Sequence, residues 1–225
     1  MFRFNRAKSS ANRQDPLITE LNRLWKNESD HVLVSNTIHR LDTHYHLNNK
    51  IMNEPVVEDI VKQMFGRLAN SSGSLANLRS KRILDIACGS NTSKAPKMPY
   101  ISTSFGEMNI RRASPGYTAM FEPWFCRILV ELEADAVGVD FGDLDAEHFT
   151  HYRVDLGKMG ALSFLPDQSF DAVQDSRLFG SPEFMAQFPH RSDHLIIAQE
   201  ITQQERRLLK PDGIVIHSDA QTLLP

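Results

Sequence analysis

The sequence predicts an α/β fold, an open parallel sheet of about five strands flanked by helices and preceded by a helical N-terminal extension. Three observations predict it. From Lys81 onward, short runs rich in branched apolar residues alternate with stretches of helical periodicity. Before that point, apolar residues recur only at helical intervals. Between the two regimes, "RILDI" runs straight into "ACGSN", a strand-like run followed by a turn of small residues, where the chain must bend sharply with something lying against it.

In chain order, residues 1–15 read as a solvated basic tail, with Arg3, Arg6, Lys8 and Arg13 and no acid among the first thirteen residues. Residues 16–80 read as the helical extension. "DPLITELNRLWKN" places Leu17, Leu21, Leu24 and Trp25 at helical spacing, and "PVVEDIVKQMFGRLAN" does the same with Val57, Ile60, Val61, Met64 and Phe65. Pro16 and Pro55 suit first-turn positions. "SSGSLANLRS" then resets the chain. Residues 81–225 form the main domain, whose candidate strands are "RILDIA", "DAVGVD", "HYRVDL", "FDAVQD" and "GIVIHS". The helical patterns between them include "FEPWFCRILVELEA" and "HLIIAQEITQQERRLLK". Such alternation builds a parallel sheet through right-handed crossovers, and ligands of these sheets bind at strand carboxyl ends where the strand order reverses.

Composition narrows the function classes. The chain has 225 residues, 41% hydrophobic and 24% charged, which is ordinary usage for one main globular domain. A net charge of -3 gives no global attraction to nucleic acid or to an anionic membrane, and neither partner is expected. Two cysteines, Cys88 and Cys126, do not make a framework of bridges. No apolar run approaches the roughly 20 residues of a membrane span, and no secretory apolar segment follows Met1, so a cytoplasmic location is the expectation.

The opening turn lacks the lysine-hydroxyl pair of a phosphate-gripping loop and the Gly-x-Gly-x-x-Gly of a dinucleotide site. It has instead an acid, Asp85, two residues before a small-x-Gly-x-small turn of Ala87, Gly89 and Asn91. This resembles the motif of class I S-adenosylmethionine-dependent methyltransferases, with a Rossmann-like fold. The resemblance runs over residues about 82–217, through "AVGVD", "YRVDL", "LSFLPDQSFDAV" and "ERRLLKPDGIVIHS". It implies S-adenosyl-L-methionine as cofactor. Asp85, Ala87, Cys88, Gly89 and Asn91 would surround its methionine part, Asp140 and Phe141 its ribose, and Asp155 and Leu156 its adenine, with Gln174 also at the site. Ala87 and Asn91 replace two of the family's glycines. Alanine reads as a mild change, and asparagine tolerates a left-handed backbone. The interval between the glycine turn and Asp140 is far longer than the family's. After strand five only "DAQTLLP" follows, without the family's usual strand hairpin, so a second copy of the chain is expected to cover the strand-five edge as a homodimer.

Each of these residues also has a structural reading. Asp85 suits capping of its turn, Asp140 and Asp155 suit ordinary strand ends, and Cys88 suits a small packed side chain. His39, His44 and His46 complete no familiar metal set, and no metal is expected; His44, Tyr45 or His46 would rather line a lid over the cofactor. The inserted loop 94–116 carries three prolines, Tyr100, Phe105 and four cations against one acid, Glu107, and leaves the cofactor turn directly. It reads as a gate for the acceptor, with Arg111 and Arg112 as clamps for a carboxylate or phosphate and Tyr45 beside them. After strand four, "QDSRLFGSPEF" lacks the signatures of amino-methylating nucleic-acid enzymes and of cytosine-5 enzymes. Asp175 is the candidate to orient or deprotonate an acceptor and Arg177 to bind an anionic one, and either also suits a structural ion pair. The expected activity is methyl transfer to a small molecule or natural-product intermediate. A non-catalytic cofactor-binding or partner-regulated module and a nicotinamide-dependent oxidoreductase are the alternatives.

Overall fold

The structure, a computed structural model, describes residues 28–47, 50–90, 121–142, 144–145, 147–175 and 177–224. The basic tail, the run from Leu17 to Trp25, and Asn91, Tyr100, Phe105, Arg111 and Arg112 lie outside the described residues.

Five parallel strands form one sheet in the order β3-β2-β1-β4-β5. They are β1 (Arg82–Ile86), β2 (Asp135–Asp140), β3 (Thr150–Arg153), β4 (Phe170–Asp175) and β5 (Leu209–Ser218), each within a run predicted from sequence or overlapping it. Because side chains alternate along a strand, β1 sends Ile83 to one face and Leu84 to the other. Both faces are covered, so the strands read as nearly continuous apolar runs.

The first face carries α1 (Glu28–His44), the short α2 (Lys50–Asn53), α3 (Pro55–Ser72) and α4 (Trp124–Glu131). Val57, Val61, Phe65 and Leu68 of α3 share a core with Ile83, Ala136 and Ala172 of the sheet and with Trp124, Phe125 and Leu129 of α4. Pro55 opens α3, and Gly73 at φ 76° closes it. The second face carries α5 (Pro182–Gln187), α6 (Arg191–Leu208) and α7 (Asp219–Leu223). Ile197, Ala198 and Ile201 of α6 pack there on Leu84, Val137 and Val173.

Helices α1 and α3 belong to the layer that covers the sheet, because their apolar stripes are buried in its core. Helix α1 lies within the stretch 16–80 read as helical, though it was not singled out as an element. Its inward side includes the buried Asp30 and Thr37, which break the apolar period, and Asp30 Oδ1 accepts hydrogen bonds from Ser74 Oγ at 2.8 Å and the Leu75 amide at 3.0 Å. Along β5, α3 touches the strand, while no strand pairs with its outer edge among the described residues.

Candidate functional site at the reversal of strand order

From β1 the chain builds outward to β2 and β3 on one side and to β4 and β5 on the other, so the order reverses between β1 and β4. In sheets of this kind the crevice outside the strand carboxyl ends opens there. Asp85, opposite Gly138 and Gln174 in the ladder, is buried and hydrogen-bonded by the Gln174 side chain. Cys126 Sγ lies 3.8 Å from Asp85 Oδ2. Burial pushes the Asp85 carboxyl up to about 7, against the pull of the Arg177 guanidinium and, more weakly, Arg67.

The turn after β1 has two left-handed residues, Ala87 at φ 59° and Gly89 at φ 94°. Alanine here is not the mild change expected, since a Cβ in the left-handed region costs on the order of 1 kcal/mol. Gly89 is required twice over, because a Cβ on it would sit 2.2 Å from the Phe121 carbonyl oxygen. The same carbonyl accepts the Ser90 amide at 2.8 Å, so the chain leaves for residues 91–120 and returns at one point. That closure accounts for the long interval before Asp140. Cys88 is buried beside Cys126, and burial pushes its thiol well up, in keeping with a packed side chain.

Asp140 at the tip of β2 is tied to this turn. Its Oδ2 accepts the Gly89 amide at 3.0 Å and its Oδ1 the Gly142 amide at 2.7 Å. Burial raises its carboxyl while the backbone donors pull the other way. Next to it, Phe141 is 58% exposed, its ring under the Arg153 guanidinium at 5.5 Å. An aromatic face thus stands open beside a strand-end carboxylate. Asp155 lies beyond the end of β3, where its Oδ1 accepts the Gly157 amide at 3.1 Å and its Oδ2 lies 3.5 Å from Lys158 Nζ. It shapes the turn, and Leu156 is buried beneath it.

The structure places the two catalytic candidates differently from each other. Asp175 is fully buried, and both of its oxygens accept backbone amides from the start of α7. It holds the first turn of that helix. Arg177, just past β4, faces Asp85 and Asp219, and burial lowers its hold on its proton. Tyr45 packs with the Arg127 guanidinium 4.6 Å over its ring and His148 edge-on at 5.4 Å.

Sequence reasoning missed the cluster that Tyr45 covers. Arg127 of α4 donates from Nη1 to Glu122 Oε2 at 2.6 Å, from Nε to Glu147 Oε2 at 3.0 Å and from Nη2 to Glu147 Oε1 at 2.7 Å, all three side chains being buried. Arg67 was missed as well; only its place one turn past Met64 on α3 hinted at an inward cation. Among the described residues, no group of three or more histidine, cysteine or acidic side chains is placed to hold a metal ion, and no helix is long and apolar enough to cross a membrane. In comparisons with known proteins, no family model, no curated protein and no solved structure matches this chain, and its reading rests on the geometry of the sheet's carboxyl edge.

Proposed function

We propose that the protein is an S-adenosylmethionine-dependent methyltransferase acting on a small-molecule or natural-product acceptor. The observation that carries the reading is Asp140, a strand-tip carboxylate fastened to the Gly89 amide at the order reversal, with the open ring of Phe141 beside it. A carboxylate offers about four lone-pair directions. The Gly89, Gly142 and Phe141 amides draw on three of them, which leaves capacity for one hydroxyl of a ribose. Phe141 offers a face for the base. The carboxyls of Asp85 and Asp140 suit a cationic sulfonium and an ammonium group and oppose a pyrophosphate, which favours this cofactor over a dinucleotide.

When bound, the sulfonium supplies an already activated methyl group. The protein's part is then to align the acceptor and exclude water. Gly89 would let backbone approach the methionine part, and Asp85, Ala87 and Cys88 would line the wall beside it. Arg177 is the group suited to an anionic acceptor. Asp175, sealed and bonded to α7, is not assigned a proton-transfer role. The segment bearing Tyr100, Phe105, Arg111 and Arg112 starts and ends at this turn, which supports a part in acceptor binding. A second copy of the chain along the outer edge of β5 belongs to the same proposal and is read directly by light scattering.

The test has two stages. Titration calorimetry should show binding of S-adenosylmethionine and none of NADH, and Asp140→Ala should weaken binding by about 1.5–3 kcal/mol, the worth of hydrogen bonds to a charged group. An unchanged dissociation constant removes Asp140 from the ribose role. Labelled methyl transfer into a cell extract then separates an enzyme from a module that binds the cofactor without turnover.

A further inference from the structure

Asp175 at the end of β4 and Glu205 in the last turn of α6 are two carboxyls buried together, both fully shielded from solvent. Asp175 Oδ1 accepts the Asp219 amide at 2.7 Å and Oδ2 the Ala220 amide at 3.2 Å. Glu205 Oε2 accepts from Gln221 Nε2 at 3.3 Å. The Ser218 hydroxyl caps α7 by accepting the Gln221 amide at 3.3 Å, and it hydrogen-bonds both carboxyls. All these contacts converge on the first turn of α7. Glu205 Oε1 is buried without a hydrogen-bond partner among the described residues, and so is Thr202 Oγ1 one turn earlier on α6.

An acceptor sealed from water with no donor is costly, and two like charges buried side by side cost more. One proton relieves both problems, because a protonated carboxyl is a donor and the pair then carries a single charge. We propose that Asp175 and Glu205 share one proton and that this proton latches α7 onto β4 and α6, so that the segment 219–224 is released more readily as the proton is lost.

The surroundings supply little compensation. Asp219 adds a second negative neighbour to Asp175, and it is itself held by His217 Nε2 at 3.0 Å and faced by Arg177. Arg206 faces Glu205. On β1 the neighbour of Asp175 in the ladder is Ile86, which brings no charge. Burial first, and Glu205 second, push the Asp175 carboxyl up to about 8, and burial raises Glu205 as well. A carboxyl whose closed-state value lies above its open-state value binds its proton more tightly when the latch is shut. The latch is therefore firmest at low pH, weakens as pH rises toward about 8 and changes no further above it.

Hydrogen exchange on the full chain tests this. Protection factors of the Asp219, Ala220 and Gln221 amides, corrected for intrinsic exchange, are expected to fall by up to about tenfold per pH unit between about pH 5 and 8 and then to level off. The Leu84 amide in β1 serves as the unaffected reference. Glu205→Gln, which keeps the shape and the hydrogen-bonding end, is expected to raise protection of α7 at pH 8 and move the levelling point to lower pH. Wild-type protection factors that stay constant from pH 5 to 8, or a Glu205→Gln profile that superimposes on the wild type, overturn the proposal.

Discussion

On one face of the sheet Arg127 is buried between Glu122 and Glu147 with three hydrogen bonds no longer than 3.0 Å, and on the other Asp175 and Glu205 are buried with no cation hydrogen-bonded to either among the described residues. The same fold carries both arrangements a few strands apart. In the first, each charge has its opposite and a donor for its oxygens; the desolvation cost is offset within the cluster, which resists separation into its parts. In the second, backbone amides and a serine hydroxyl stand in for a cation, and the cluster is left dependent on the solution's proton supply. Burial alone thus says little about whether a polar group stabilises. What decides is the charge count of the cluster it belongs to.

The largest effect is expected from breaking the compensated cluster. Arg127→Ala leaves two buried glutamates unpaired and should cost about 3–5 kcal/mol in urea denaturation. A loss below about 1 kcal/mol would mean that the two faces do not differ in the way described. The uncompensated cluster should respond with the opposite sign. Glu205→Gln is expected to stabilise the protein by on the order of 1 kcal/mol at pH 8. That gain should shrink toward pH 5, where the wild-type carboxyls approach their neutral, favoured form. A gain that does not change with pH points to packing instead of charge. The smallest test leaves charge out of the comparison. Ala87 joins the α6-side core from a left-handed backbone, so Ala87→Gly should add about 0.5 kcal/mol by relieving that strain, net of glycine's greater freedom when unfolded. A loss of stability would mean that the methyl group's packing outweighs the strain.

How much of this the sequence showed follows from the range of the interactions involved. The five strands were legible because both faces are buried, which writes each one as a short apolar run bounded by turn residues. Helix α3 was legible for the same reason, through an unbroken apolar stripe. Helix α1, inside the stretch read as helical, was not legible as an element, since Asp30 and Thr37 are buried polar residues and the partners of Asp30 lie on a distant segment. At the candidate site, Asp85 and Asp140 were found because strand ends carry a positional code. The left-handed turn at Ala87 was hidden, because alanine does not announce that conformation as glycine does. Asp175 was singled out, but its bonds to α7 were not legible, since a strand-end acid that accepts from a neighbouring helix reads no differently in sequence from one that faces a ligand. Arg127 and its two glutamates left no local trace, with Glu147 twenty positions away.

The hydrogen bond between Ser90 and Phe121 makes the β1–α4 junction a graft point. That pair fixes the two ends of the intervening segment beside each other, and the entropy of closing such a segment grows only with the logarithm of its length, about 0.6 kcal/mol per doubling. A change in the number of residues between Ser90 and Phe121 is therefore expected to alter stability only slowly with length, provided this pair is kept.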